Sequence, residues 1–275
     1  MGVPLPLADD AEASSGGCAS IPLISIEQRR KAERKRLPNW FRTTLPTGIA
    51  QSKFNETKLN VKEHGLNTVC EEARCPNIHD CWSRGTATFM IAGEVCTRGC
   101  RFCAVGTKRT PPPLNPNEPE ELAEAVDRMG VKHAVITVVN RDDLPDGGAE
   151  HYRKCILAIH ERCPNVGLEL LCSDLDGNLE ALALLLDELP LRVFAHNVEC
   201  VPRLDKIVRD PRASFQQSID ILREARRLRP DVAIKSSIMV GVGEKNGEVL
   251  DAMKLLREAG VELITLGQYL QPSWK

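Results

Sequence analysis

Short apolar runs alternate with amphipathic segments along the chain from Thr86 onward. Most runs are four to eight residues long, the length of a buried strand. Strands that are apolar on both faces are typical of a parallel sheet covered by helices. The pattern therefore predicts an α/β protein with six strands, near residues 88–91, 134–139, 168–171, 191–194, 234–240 and 263–266.

Two of the intervening segments have a clear helical pattern. In the first, Leu122, Val126 and Met129 share one face and Gly130 follows as a candidate C-cap. The second repeats this arrangement over 249–260. Six strands joined in this way predict an incomplete (β/α)6 TIM-like barrel, although periodicity alone leaves a doubly wound sheet open. In such a barrel the chemistry lies at the C-terminal ends of the strands.

The N-terminal part of the chain has a different composition. We expect a flexible tail over 1–28, an N-terminal extension over 29–85 and the barrel over 86–275. The basic run 29–36 is interpreted as a solvated helix face, with docking of an acidic partner protein as the alternative. Residues 37–41 are expected to anchor this segment to the barrel.

Charge and composition exclude several classes of function. The chain has 36 Lys and Arg against 38 Asp and Glu, so a whole-chain basic surface for nucleic acid is not expected. No apolar run is long enough to span a membrane. The N-terminus has acidic residues and no Lys or Arg before Arg29, unlike a secretory signal or an Arg-rich transit peptide. We therefore expect a cytoplasmic protein.

Cysteine is the unusual component, with 11 residues in the chain. Six of them form two triplets, Cys70, Cys75 and Cys81 with C-x4-C-x5-C spacing, and Cys96, Cys100 and Cys103 with C-x3-C-x2-C spacing. Three thiolates leave one coordination position open, where a substrate or cofactor can bind. Structural zinc, with His79 as a nitrogen ligand, is the main alternative. The other five, Cys18, Cys155, Cys163, Cys172 and Cys200, lack ligand spacing and are expected to be bystanders.

The second triplet, with Phe102 before its last cysteine, resembles the signature of radical S-adenosylmethionine enzymes. The first triplet, in its local sequence, is similar to that of the lipoyl synthase family. The similarity continues through 141–151, 196–204 and 267–273, and it covers about residues 37–273.

The resemblance implies two [4Fe–4S] clusters. The second triplet would hold the cluster that binds S-adenosylmethionine and generates a radical able to abstract hydrogen from an unactivated C–H bond. The first triplet, in the extension 29–85, would hold an auxiliary cluster that supplies sulfur. The implied reaction inserts two sulfur atoms, at carbons 6 and 8 of a protein-bound octanoyl group, to make the lipoyl cofactor.

The resemblance also implies a set of residues around the adenosyl cofactor. We expect contacts from Gly147, Gly148, Asn197, Glu199, Arg203, Lys235 and Gln268. The glycines permit close approach of the backbone, and Arg203 would pair with the cofactor carboxylate. Simple loop capping is the alternative for Lys235 and Gln268.

The implied partners are octanoylated lipoyl-domain proteins, namely 2-oxoacid dehydrogenase E2 subunits and the glycine cleavage H protein. An electron donor such as ferredoxin or flavodoxin and an iron–sulfur carrier are also implied. Another radical S-adenosylmethionine enzyme that inserts sulfur, and a non-catalytic zinc or iron–sulfur module, are the competing hypotheses.

Two departures from the family pattern change the expectation. Residues 171–175 read Leu-Cys-Ser-Asp-Leu, where the family has a proline, so the local loop is expected to differ. The chain also stops at Lys275, before the family's closing Arg-Ser-Ser-Tyr motif, whose serine ligates the auxiliary cluster. On this basis we expect a truncated form that turns over poorly.

Overall fold

The structure is a computed structural model, and it describes residues 45, 47–63, 70, 75 and 77–270. These residues belong to one unit, Thr43–Lys275. The predicted tail 1–28, the basic run 29–36, the anchor 37–41 and Cys18 lie outside the described residues. The proposed domain boundaries at 28 and 85 stay predictions.

Six parallel strands form the main sheet, and a two-stranded ladder lies beside it. The strands are β1 (Thr86–Ile91), β2 (Val95–Cys96), β3 (Gly106–Thr107), β4 (His133–Val138), β5 (Gly167–Leu171), β6 (Val193–Ala195), β7 (Ala233–Val240) and β8 (Leu263–Gln268). The order in the main sheet is β1-β4-β5-β6-β7-β8, and β2 pairs with β3. The strand order never reverses, which distinguishes a partial barrel from a doubly wound sheet. The predicted fold class is confirmed.

Helices connect the strands and cover one face of the sheet. They are α1 (Ile49–Glu63), α2 (Ile78–Ser83), α3 (Glu118–Met129), α4 (Ala149–Arg162), α5 (Leu179–Leu186), α6 (Asp205–Val208), α7 (Phe215–Leu228) and α8 (Asn246–Glu258). Helix α3 buries the predicted face of Leu122, Val126 and Met129, and Gly130 ends it with φ 59°. None of the helices in the described ranges is long and apolar enough to cross a bilayer.

Burial alternates along the strands, because successive side chains point to opposite faces. In β4, Ala134 and Ile136 are fully buried with the helices, whereas Thr137 on the other face is half-buried. The second face is the concave side of the partial barrel. Cysteines and charged side chains gather at the upper part of this face, where the strands have their C-terminal ends.

Candidate active site

A pocket lies at the C-terminal ends of the first four strands of the sheet. Its floor is formed by residues that end the strands, including Met90 of β1 and Leu171 of β5. The three cysteines of the second triplet line it, together with Arg98, Phe102, Asn140, Cys172, Ser173, Asp174, His196, Asn197, Glu199 and Arg209. The location is the one that the barrel architecture predicts for chemistry.

The loop carrying Cys96, Cys100 and Cys103 begins where β2 ends and is braced by β3. Backbone amides donate to the sulfurs of Cys96 and Cys100. The Cys96 Sγ accepts from the N–H of Asn140 at 3.3 Å, and the Cys100 Sγ accepts from the N–H of Asp210 at 3.4 Å. Such N–H donors favour the thiolate form and tune the potential of an iron–sulfur cluster.

Burial raises the pKa of the Cys100 and Cys103 thiols. The Cys100 thiol is affected by the neighbouring Cys103, and the Cys103 thiol by Cys96, so the three sulfurs lie within electrostatic reach of one another. A metal would offset this cost by binding the thiolates directly. Three converging thiols, amide donors behind them and open space in front of them fit a three-cysteine [4Fe–4S] cluster.

Arg98 stands between the first two cysteines and is almost fully enclosed. Its guanidinium donates to Asp174 at 2.6 Å and to Asp142 at 2.8 Å. Burial alone would lower the pKa of Arg98, but these two carboxylates outweigh it and raise the pKa. Asp142 also accepts from the Thr97 hydroxyl at 2.7 Å. The network fastens the cluster loop to the ends of β4 and β5.

A second pair of charges fastens the same loop from the α6–α7 connection. The Asp210 carboxylate accepts from the Gly99 N–H at 2.9 Å and from the Arg212 guanidinium at 2.9 Å. Arg212 also donates to the Thr97 carbonyl at 2.7 Å. The Arg212 hydrogen bond lowers the pKa of Asp210, so this carboxylate stays charged. The sequence reasoning missed this group, although Arg209-Asp-Pro-Arg212 contains two of its members.

Asn197 and Glu199 follow β6 and both line the pocket. Glu199 has φ 66°, a left-handed conformation that is unusual for a residue with a side chain. Its N–H donates to the Ser237 carbonyl at 3.1 Å, and its own carbonyl accepts from Met239 at 2.8 Å. Burial raises the pKa of the Glu199 carboxyl. Backbone strain of this kind is concentrated at functional sites.

Gly147 and Gly148 form the turn into α4 and are not among the residues that line the pocket. Gly148 has φ 93°, and a Cβ there would lie 2.8 Å from the Tyr152 ring. The Tyr152 hydroxyl donates to the Gly147 carbonyl at 2.8 Å. The glycines thus have a packing role, and their contact with the adenosyl cofactor stays a prediction.

The remaining three expected cofactor contacts, Arg203, Gln268 and Lys235, are not among the residues that line the pocket, and they stay predictions. Arg203 is half-exposed, and its guanidinium donates two hydrogen bonds to the Glu248 carboxylate, at 2.6 and 3.0 Å. Gln268 is exposed and donates to the Val240 carbonyl at 3.4 Å. The Gln268 contact fits the loop capping that we considered as the alternative for this residue.

Lys235 lies on the concave face below the pocket. Its ammonium donates to Glu169 at 2.7 Å, and His133 approaches the same carboxylate at 3.4 Å. Burial alone would raise the pKa of Glu169, but the hydrogen bonds from His133 and Lys235 outweigh it and lower the pKa. The Lys235 ammonium is therefore paired within the protein, and its contact with the cofactor stays a prediction.

The first triplet lies between α1 and the start of β1. Cys70 is buried and Cys75 and Cys81 are half-buried. Burial, and then the neighbouring Cys75 and Cys70, raise the pKa of the Cys81 thiol, so these sulfurs are also close together. The His79 ring packs against Phe54, with 4.4 Å between ring centroids. The three thiols fit a second three-cysteine site.

The other cysteines that the structure describes are free and buried, as expected for bystanders. Cys172 differs from the rest because it lines the pocket, which its spacing did not indicate. Cys155 lies with Glu118 and His151 in a group whose potential ligand atoms are within 4.8 Å of one another. The Glu118 carboxylate already accepts from the Ala92 N–H at 2.9 Å and contacts the His151 ring, so this group joins α3 and α4.

Comparison with known families agrees with this geometry. Residues 90–256 match the radical SAM superfamily, and residues 23–75 match the N-terminal domain of lipoyl synthase of the radical SAM family. Solved structures share the fold at low identity. The FeFe-hydrogenase maturase HydG from Carboxydothermus hydrogenoformans has a TM-score of 0.54 and 13% identity, with 82% of this chain and 58% of that chain covered. Methylornithine synthase (PylB) has a TM-score of 0.52 and 11% identity, with 81% and 68% covered.

Several relatives are much more similar in sequence. Lipoyl synthase from Halorhodospira halophila is 50% identical over 242 residues, which are 88% of this chain and 71% of the relative. The mitochondrial lipoyl synthases of Bos taurus and Homo sapiens are each 49% identical over 251 residues, which are 90% of this chain and 66% of each relative. The chain thus spans about two thirds of the length of these relatives.

The partial barrel, the cysteine loop at its C-terminal edge and the superfamily match define a radical S-adenosylmethionine protein. This superfamily implies a [4Fe–4S] cluster and S-adenosylmethionine as cofactors. Within it, the chain belongs to the lipoyl synthase family.

The expected cytoplasmic location is wrong. The relatives from Bos taurus, Xenopus laevis and Homo sapiens are named mitochondrial, which points to mitochondria. The expectation depended on the composition of the first residues of the chain, and these lie outside the described part of the structure.

Proposed function

We propose that this protein is a lipoyl synthase, which inserts two sulfur atoms into a protein-bound octanoyl chain. The main support for this proposal is that one chain contains two three-cysteine sites. The second of these sites lines the pocket at the barrel edge. The radical S-adenosylmethionine signature by itself would explain only the second triplet. The family membership and the first triplet together favour sulfur insertion over other radical chemistry.

The residues of the pocket have distinct proposed roles. Cys96, Cys100 and Cys103 would hold the cluster, which when bound supplies the electron that cleaves S-adenosylmethionine. Asn197 and Glu199 would bind polar groups of that cofactor, since both side chains line the pocket beside the thiols. The apolar residues of the pocket would exclude water from the octanoyl chain.

The proposed role of the charged residues behind the cluster loop is to hold the loop in position. Arg98 and Asp210 tie the cluster loop to different parts of the barrel edge. A cluster that is held from two sides keeps a fixed distance from the pocket floor. Fixed geometry is required because hydrogen abstraction at a chosen carbon depends on where the reacting atoms lie.

Cys70, Cys75 and Cys81 would hold the auxiliary cluster, the proposed source of the inserted sulfur. The proposed substrates are octanoylated lipoyl domains, of 2-oxoacid dehydrogenase E2 subunits and of the glycine cleavage H protein. The proposal also includes a ferredoxin or flavodoxin as reductant and an iron–sulfur carrier that rebuilds the auxiliary cluster.

The test is anaerobic incubation of the reconstituted protein with S-adenosylmethionine, dithionite and an octanoylated lipoyl-domain protein. Mass spectrometry should show the substrate gaining two sulfur atoms. A variant with Cys96, Cys100 and Cys103 changed to Ala should cleave no S-adenosylmethionine. A variant with Cys70, Cys75 and Cys81 changed to Ala should still cleave it but add no sulfur. Sulfur insertion by this second variant would refute the proposed donor.

A further inference from the structure

The loop that carries the second cysteine triplet has two faces with different surroundings. Cys96 and Cys100 line the pocket, whereas the intervening residues Thr97 and Gly99 line a separate depression. Arg98 also lines the pocket, so the residues of this part of the loop alternate between its two sides. The depression is therefore on the outer side of the loop, and one thickness of chain separates it from the thiols.

The outer side of the loop is basic. Lys108, Arg109 and Arg212 line the depression with a single carboxylate, Asp210. Lys108 and Arg109 are exposed, and neither forms an ion pair with any residue that the structure describes. Arg212 neutralises Asp210 while its side chain stays 47% exposed. Arg212 also pairs with Asp142 at 3.1 Å, so the positive potential of this surface comes mainly from Lys108 and Arg109.

The two free cations have a fixed position relative to the cluster loop. Thr107 of β3 pairs with Cys96 of β2, and the Lys108 N–H donates to the Cys96 carbonyl at 3.0 Å. Lys108 and Arg109 thus follow directly from the strand that braces the first cluster ligand. Their separation from Cys96 is set by a backbone ladder and not by a flexible loop.

An apolar patch adjoins the basic depression. A neighbouring hollow is lined by Arg101, Phe102, Ile207, Val242 and Tyr269 among others. Ile207 is 55% exposed. A small apolar centre with charges around it is the usual composition of a transient protein interface. The two hollows together are called the outer loop face, which consists of Thr97, Gly99, Arg101, Lys108, Arg109, Ile207 and Arg212.

We propose that the outer loop face is the docking surface for a small acidic electron-carrier protein, an inference that rests on the proposed function. The pocket side of the loop must accommodate S-adenosylmethionine and the octanoyl chain, so a protein reductant needs access from the other side. Electron tunnelling weakens steeply with distance, and a carrier docked here lies behind a single layer of chain. Opposite charge speeds encounter and orients the partners.

The redox step moves one electron and no atoms. The reduced carrier would lose one electron, which would pass to the cluster that Cys96, Cys100 and Cys103 would hold. The carrier leaves in its one-electron oxidised form. A small chemical reductant needs no docking surface, so the two sources of electrons can be separated by experiment.

The test compares the double variant Lys108→Glu/Arg109→Glu with the control Lys254→Glu/Arg257→Glu. The control has the same charge change on exposed positions of α8. Cleavage of S-adenosylmethionine, without octanoylated substrate, is measured with a plant-type [2Fe–2S] ferredoxin kept reduced by NADPH and its reductase, and separately with dithionite. Binding of the oxidised ferredoxin is measured by calorimetry, at low and high salt, which requires no turnover.

We expect ferredoxin-driven cleavage and ferredoxin affinity to fall about tenfold in the Lys108/Arg109 variant, and dithionite-driven cleavage to stay within about twofold. The control should match the wild type, and salt should weaken wild-type binding. An equal loss with both reductants, an equal loss in the control, or unchanged ferredoxin binding would overturn the proposal. Failure of the proposed function would instead appear as cleavage without sulfur insertion by the wild type under dithionite.

Discussion

Arg98 shows how much of the site depends on single buried charges. Its side chain is 3% exposed and that of Asp174 is 2% exposed, so neither charge can turn to water. Removing one member of a buried pair leaves the other uncompensated, which costs about 3–5 kcal/mol. Exposed pairs contribute much less, about 0–1 kcal/mol. The two kinds of pair can be compared within this chain.

We expect Arg98→Met to lower the free energy of unfolding of the apo protein by about 3–5 kcal/mol, measured by urea denaturation. Arg223→Met breaks an exposed pair with Asp220 and should cost less than about 1 kcal/mol. Adding Asp174→Asn to Arg98→Met should recover part of the loss. Equal costs for the two single variants would mean that the buried network does not stabilise the loop.

His196 is a second residue whose state is set by burial. Its Nδ1 donates to the Cys172 carbonyl at 2.9 Å, and its Nε2 accepts from the Ser218 hydroxyl at 2.9 Å. A ring that accepts at Nε2 is neutral, because the imidazolium form donates from both nitrogens. Burial lowers the pKa of His196 from 6.5 to about 4.

This pKa predicts a loss of stability in acid. Below about pH 6.5 the unfolded chain binds a proton at His196 that the folded protein does not bind until about pH 4. The free energy of unfolding should therefore fall by about 3 kcal/mol over this range because of His196 alone. In His196→Gln the total fall in unfolding free energy between about pH 6.5 and pH 4 should be smaller by this amount, measured in urea at several pH values. An unchanged slope would show that another group dominates.

The six cysteines could be recognised from the sequence because their spacing is local. The carboxylates around Arg98 could not, since Asp142 and Asp174 are distant along the chain and meet it only when β4 and β5 align. The same limit explains why the ion pair of Lys235 was not predicted. Its position near a strand was predicted, but its contact with Glu169 depends on the register between strands.

At the scale of elements, the strands and long helices were predictable because each buries a regular apolar face. All six predicted strands are present in the main sheet. The two-residue strands β2 and β3 and the four-residue helix α6 were missed, because elements of this length have no period to detect. These short elements are the ones that hold the cluster loop in place.

The turn from β4 into α4 has no room for one added carbon atom at Gly148. Gly148 has φ 93°, and an added Cβ would meet the Tyr152 ring, which is held by hydrogen bonds to the Val139 and Gly147 carbonyls. We expect Gly148→Ala to lower the free energy of unfolding by about 2 kcal/mol or more. Gly247→Ala in α8, where a Cβ meets nothing within 4 Å, should raise it by about 0.5–1 kcal/mol. A neutral Gly148→Ala would show that the turn tolerates a side chain.

For the molecule as a whole, the two triplets predict two separate iron sites. After anaerobic reconstitution we expect about eight iron atoms per chain, and about four when Cys70, Cys75 and Cys81 are changed to Ala. Iron and sulfide analysis with Mössbauer spectroscopy measures both values. Four irons in the wild type, or zinc in the first site, would defeat the two-cluster account.

The central claim is that sulfur held at the first triplet is inserted into an octanoyl chain by radical chemistry at the second. The most direct measurement reconstitutes the protein with sulfur-34 sulfide, removes free sulfide, and analyses the octanoylated lipoyl domain by mass spectrometry after a single turnover with S-adenosylmethionine and dithionite. The account predicts a product that contains two sulfur-34 atoms. A product without added sulfur, or with sulfur of natural isotopic composition, would contradict it.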